Sequence, residues 1–303
     1  GQTEGMLGWP EGLREPFRNL LVNPQLVWYL NQIMAPGFRL DREPELLGNK
    51  EETVGLLLEG GNEPRNPGIA YYFKNGRRYC EGIRVIWALS DVEEGDGGFV
   101  MVPQSHRSNV ETPAEVMNGE DDMDLRAQPV LKAGDLLIVA LTTLQAIEPW
   151  TGDAKRLLSY EYVARGIIRT AGTGPKAEAE PHPEWHEALS PEQRAGLYKP
   201  GYRDSTPPPT IVTDGETVHL DLSKKVFHPS LYQLNPNSGI DYDEFYFWDL
   251  KGYLVLRGVM DEAWIAAANE AVDRFEDEIK VGSELSGGSK SLAGTGRPTL
   301  GGL

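Results

Sequence analysis

The chain has 303 residues, with 29 Lys and Arg against 46 Asp and Glu, a formal net charge of −17 and a pI near 4.8. A surface this acidic repels phosphate, which excludes nucleic acid and anionic membrane as partners, and no apolar run approaches the roughly 18 residues of a membrane-spanning helix. With 40% hydrophobic residues and a single cysteine, Cys80, the sequence is that of a globular protein with a sizeable core, no intrachain disulfide and no cysteine zinc site, and a cytoplasmic location is expected.

From Glu15 to Met34 the sequence predicts two short helices divided at Asn23-Pro24, because Asn caps a helix and Pro fits its first turn. Leu26, Tyr29, Leu30 and Ile33 fall at helical spacing. From Val54 the pattern changes to short apolar and aromatic runs, VGLLLE, IAYYFK, IRVIWALSDV, GFVMVP, DLLIVAL and RLLSYEYVA, separated by PRNPG, KNG, EEGDGG, KAGD and TGD. Short strands between such turns predict a mainly β, antiparallel fold with flanking helices, and a jelly roll, the cupin-like double-stranded β-helix, is the architecture expected. Residues 171–240 hold clusters of Pro and Gly and predict a linker or arm with one short helix near Ser190 and a short strand, TVHLDL. KGYLVLRG at 251–258 is strand-like, and Asp261 then reads as the N-cap of a helix with the apolar stripe Ile265, Ala268, Val272, Phe275 and Ile279. The tail from Gly287 reads as a loop.

The run DVEEGDGGFVMVPQSHRSN, followed by KAGDLLIVA and KRLLSYEYVARG, resembles the phytanoyl-CoA dioxygenase family of Fe(II)/2-oxoglutarate oxygenases. In that family an acidic turn leads through Gly to a strand ending in a Pro-Gly-Ser-His loop. A Gly-Asp turn, a metal His and an Arg that binds 2-oxoglutarate follow. Here the loop reads Pro103-Gln104-Ser105-His106. The resemblance implies 2-oxoglutarate-dependent hydroxylation of a small organic or lipid-derived substrate. DEFYFWDLKGYLVLRGVMDEAWIAAANEAVDRFED resembles the family's opening strand and helix, which normally precede everything else. The implied organisation is a jelly-roll core over 1–170 lacking its first strand and helix, the arm at 171–240, and the opening segment at 241–303. That order has two readings. The chain is a window on a longer protein with a second copy of the fold, which the missing initiator Met favours, or it is a circular permutant. On either reading Tyr253 to Arg257 and the helix after it are expected to dock on the 54–164 sheet.

The family holds Fe(II) with a His-x-Asp/Glu pair and a distant His. With Arg156 taken as the oxoglutarate Arg, the resemblance places the distant ligand at Gln145 and the pair at Glu59, in LLLEGGNEP. Neither histidine is kept, and a carboxylate with an amide is a weaker first-row site than two imidazoles. Two functions therefore stand side by side: an oxygenase with Fe(II) and 2-oxoglutarate as cofactors, or a degenerate member acting as a binding or structural module. Arg156 reads equally as the bidentate partner of the oxoglutarate carboxylate and as a strand-start Arg paired with Asp153. His219-Leu220-Asp221, with His228 after it, repeats the form of the metal pair, but also reads as an edge strand with Val218, Leu220 and Leu222 inward and His219 and Asp221 in water. His182-Pro183-Glu184, close to His186, reads as an exposed turn, and His106 as a hydrogen-bonding residue that fixes its loop. Tyr71, Tyr72 and Trp87 read as pocket lining or as core. The acidic stretch from Glu120 to Asp124 lacks the Gly and terminal Glu of an EF-hand loop and reads as solvated.

Overall fold

The computed structural model describes residues 5–34, 37–47, 57–74, 77–121, 123–153, 155–167, 184–198, 209–222, 241–274, 280–281 and 298–299. His182, His228, Phe275 and Ile279 lie outside the described residues, as does most of the tail.

The strand-forming runs build two layers. Strands β1 (Phe38–Leu47), β2 (Tyr71–Lys74), β3 (Arg77–Cys80), β4 (Gly82–Ala88), β5 (Gly98–Met101), β6 (Leu136–Ala140), β7 (Gln145–Glu148), β8 (Leu157–Ala164), β9 (Thr210–Thr213), β10 (Val218–Asp221) and β11 (Tyr253–Leu256) follow in chain order, with a two-residue pair, β12 and β13, at Lys280–Val281 and Pro298–Thr299. The larger sheet has the order β1-β8-β4-β6-β11, antiparallel throughout. Facing it, β5 pairs with β7, and single bridges from Glu59 to Gln145 and from Met101 to Ala127 extend this second layer. The fold is a double-stranded β-helix with helices on one face.

Period-two alternation sorts the large sheet's side chains. Ile86 and Ala88 of β4, Leu137 and Val139 of β6 and Leu157 of β8 turn inward and pack on Phe99 and Met101 of β5. Ile83, Val85 and Trp87, Ile138, and Tyr160 with Tyr162 turn outward to the helices. The outward face is covered by α1 (Glu15–Leu21) and α2 (Pro24–Ile33), whose boundary is set as expected: the Asn23 side chain accepts from Leu26 N at 3.1 Å. Tyr160 and Tyr162 satisfy their hydroxyls on the carbonyls of Phe17 and Leu21, both at 3.0 Å.

Helix α3 (Ala114–Met117) lies beside the second layer, and α4 (Pro191–Gly196) starts from a capping box at Ser190. The described parts of 184–222 join the helical face. Leu189, Ala195, Leu197 and Ile211 are buried there, Gln193 bonds the Arg18 carbonyl, and Asn31 bonds that of Ile211.

The last segment completes the sheet. Helix α5 (Tyr242–Lys251) is capped by Asp241 and stopped by Gly252 in the left-handed region (φ 80°), where a Cβ would lie 2.4 Å from His106 Nδ1. β11 then pairs residue for residue with β6, from Tyr253 opposite Val139 to Leu256 opposite Leu136. The buried Asp135 carboxylate, from the KAGD turn, secures the exit: it accepts from Gly258 N at 2.9 Å, from Lys132 N at 2.8 Å and from Arg257. Helix α6 (Glu262–Arg274) follows, capped by Asp261, with Ala268 and Val272 buried and Trp264 bonded to the Pro16 carbonyl of α1.

Candidate functional site

The two positions expected to carry metal ligands come together. Glu59 and Gln145 exchange both backbone hydrogen bonds, each at 2.9 Å, so their side chains stand on one face of the second layer. Two glycines carry the chain away from Glu59 across the 142–144 segment. Gly60 has φ 104°, and a Cβ there would lie 2.5 Å from the Thr143 carbonyl oxygen, so no other residue fits. Gln145 is 1% exposed, and its Oε1 has no hydrogen-bond partner among the described residues.

What Glu59 meets is a guanidinium. Arg84, buried on β4, puts one nitrogen, Nη2, 3.0 Å from Glu59 Oε1 and 2.5 Å from Glu161 Oε1. Glu161 is itself buried on β8, in register with Arg84, and its second oxygen lies 3.6 Å from Arg42 Nε. Burial opposes the charge on Arg84, but the carboxylates of Glu161, Glu59 and Glu45 outweigh it and hold the guanidinium protonated above its ordinary range. Arg84 thus links the large sheet to the second layer through Glu59, while its pair with Glu161 joins neighbouring strands of the large sheet, both on a single nitrogen.

Arg156 lies apart from this group. It immediately precedes β8, where Leu157 takes the inward position, and it turns instead to α6, bonding Asn269 Oδ1 at 3.0 Å and pairing with Asp273. Among the contacts present, Asp273 fills the role that the sequence reading gave to Asp153. The structure therefore brings Glu59 and Gln145 together and leaves Arg156 on the opposite face of β8.

The other candidates take structural positions. His106 is fully buried in the loop after β5, its Nε2 3.0 Å from the Asp249 carbonyl and its ring edge-on to Tyr71, while Nδ1 has no partner among the described residues. Burial depresses its pKa to about 4, so the ring is neutral and Nε2 carries the donated hydrogen. Tyr71 donates to Asp249 Oδ1 at 2.6 Å, and Arg78 Nε reaches the same oxygen at 2.5 Å. Trp87 is core on the helical face, and Tyr72 stacks on Tyr79. His219 is exposed on β10 with Val218 and Leu220 packed inward, whereas Leu222, expected inward, is 74% exposed because the strand ends before it. Asp121 lies in an exposed loop, where its carboxylate accepts from Met123 N.

Sequence reasoning missed Arg84 and Glu161. Both are single charges inside apolar runs, GIRVIWA and LLSYEYVA, and two opposite charges at such positions on neighbouring strands were the available signal.

The residues present do not fit Fe(II). An iron ion at Glu59 would have one carboxylate already paired with a cation, one amide and no imidazole, and among the described residues no group of three or more His, Cys, Asp and Glu is placed to hold a metal. Among those residues no helix is long and apolar enough to cross a membrane.

No family model matches the chain, and no curated protein matches it. Solved structures to which it is similar include HygX from Streptomyces hygroscopicus with nickel and 2-oxoglutarate bound, at 21% identity over 53% of this chain and 70% of that one, with a TM-score of 0.44. AviO1 from Streptomyces viridochromogenes Tue57 is 12% identical over 55% and 67%, with a TM-score of 0.41. The non-heme alpha ketoglutarate dependent epimerase SnoN from nogalamycin biosynthesis is 20% identical over 52% and 63%, with a TM-score of 0.37.

Proposed function

We propose that this chain is a phytanoyl-CoA dioxygenase-like jelly roll that has lost its iron site and acts as a binding or structural module. One observation carries this reading: the carboxylate at the expected ligand position, Glu59, is engaged by Arg84, and the other position is the amide of Gln145. The guanidinium competes with a metal ion for Glu59, and the amide of Gln145 supplies no imidazole to offset that competition. On this reading, 2-oxoglutarate-dependent hydroxylation of a small organic or lipid-derived substrate belongs to a complete copy of the fold, which a longer protein would carry alongside this one.

The second reading, that this chain is itself such an oxygenase, draws on the sequence runs from Asp91 to Asn109 and from Lys155 to Gly166. It requires Glu59 and Gln145 as metal ligands and Arg156 as the oxoglutarate anchor, and the ion pairs of Glu59 with Arg84 and of Arg156 with Asp273 oppose it. Incubation with Fe(II), 2-oxoglutarate and oxygen separates the two. The module reading expects no succinate above the level without protein, and an Arg156→Ala variant with the same 2-oxoglutarate affinity as wild type. Succinate formation that disappears in Glu59→Ala would establish the oxygenase.

A further inference from the structure

We propose that Arg84 is a built-in replacement for a metal cation: its Nη2 occupies the point between the two layers at which Glu59 and Glu161 would otherwise collect a divalent ion. This rests on the module reading above and extends it from the loss of a site to the identity of what fills it.

Three observations converge. Both carboxylate oxygens touch the same nitrogen, at 3.0 and 2.5 Å, so they already point at a common centre. They come from different layers, Glu161 from the large sheet and Glu59 from the bridge to β7, so the centre holds the two layers together as a shared ion would. Gln145 stands opposite Glu59 on the same face of the second layer, with a buried carbonyl oxygen that has no hydrogen-bond partner among the described residues. A buried guanidinium cannot be titrated away, so the arrangement keeps its charge without any supply of metal. Removing the side chain would leave two convergent carboxylates across a vacated volume, and oxygen ligands of this kind suit Mn(II).

The test compares wild type with Arg84→Ala, Arg84→Gln and Arg84→Lys, using Mn(II) alone as the probe, with free ion followed by its electron paramagnetic resonance signal and stability by thermal melting. The expected result is no Mn(II) uptake by wild type or Arg84→Lys. For Arg84→Ala a melting temperature about 10 °C lower is expected, with saturable Mn(II) uptake that recovers part of the loss. Arg84→Gln, which retains more side-chain volume, should take up Mn(II) as well. Should neither neutral variant fold in metal-free buffer, recovery on refolding with Mn(II) is the readout, and equal failure with and without metal overturns the proposal. Folded neutral variants that ignore Mn(II) overturn it too while leaving the module reading intact. Uptake by wild type overturns the module reading itself.

Discussion

A guanidinium buried between two sheets is stable only when carboxylates compensate it, and Arg84 has two that differ in exposure. Glu161 is 7% exposed and Glu59 57%, so water screens the second pair far more than the first. Glu161→Gln is therefore expected to cost about 3–5 kcal/mol and Glu59→Gln about 1 kcal/mol or less in urea denaturation. Equal costs would mean that exposure does not set the strength of these pairs. His106 gives a pH signature. Its folded pKa is depressed to about 4 by burial, against about 6.5 in the unfolded chain, so between these values the unfolded state holds more protons. Its contribution to stability is complete above pH 6.5 and is lost as pH falls towards 4, on the order of 3 kcal/mol in all. The difference in denaturation midpoint between wild type and His106→Gln should change across that window, and a constant difference would contradict the neutral, buried ring.

At the scale of elements, the helices were legible because their ends are written locally. Asn23-Pro24, Ser190-Pro191 and Asp261 each cap where the sequence places them. Strand β1 was not legible. Its sequence, FRLDREPELL, alternates charges rather than apolar groups, and it pairs with β8 only through register shifts on either side of Arg42, close to Pro44. Helix α5 was hidden for a different reason: its aromatic residues give it little amphipathic pattern, and only the cap at Asp241 and Gly252 beyond its end mark it. At the candidate site, the resemblance singled out Glu59 and Gln145, which the fold pairs, whereas Arg84 depends on a partner 77 residues away and no local pattern reports it. The join between β6 and β11 rests on Asp135, whose buried carboxylate accepts three hydrogen bonds, from Lys132 N, Gly258 N and Arg257. Asp135→Ala is expected to cost about 1–3 kcal/mol and to accelerate hydrogen exchange in β11 ahead of β4 and β8. Unchanged β11 protection would show that the ladder alone holds the strand.

At the scale of the molecule, the large sheet is closed on its β6 side by a segment that follows the rest of the fold in the chain. Residues 241–274 supply β11 and also Trp248, Ala268 and Val272 to the outer core, so a chain ending at residue 240 would expose the β6 edge and an apolar face together. Such a chain is expected to associate further than the full chain, as measured by light scattering, and adding residues 241–303 as a separate polypeptide should bring the scattering back to that of the full chain. The strand runs made the jelly roll readable in advance because a buried strand needs an apolar run and a turn residue after it, and the packing of residues 184–198 and 209–222 was not, because segments flanked by Pro and Gly clusters look alike in a free linker and in a covering loop. All three scales meet in the claim that a charge belonging to the chain stands where the fold's resemblance calls for iron. Equilibrium dialysis of the unmodified protein against Fe(II) and 2-oxoglutarate without oxygen, with iron counted per chain, tests that claim most directly. Iron at the level of the protein-free chamber is the result expected from Arg84 on Glu59; stoichiometric iron that falls to background in Glu59→Ala would contradict it.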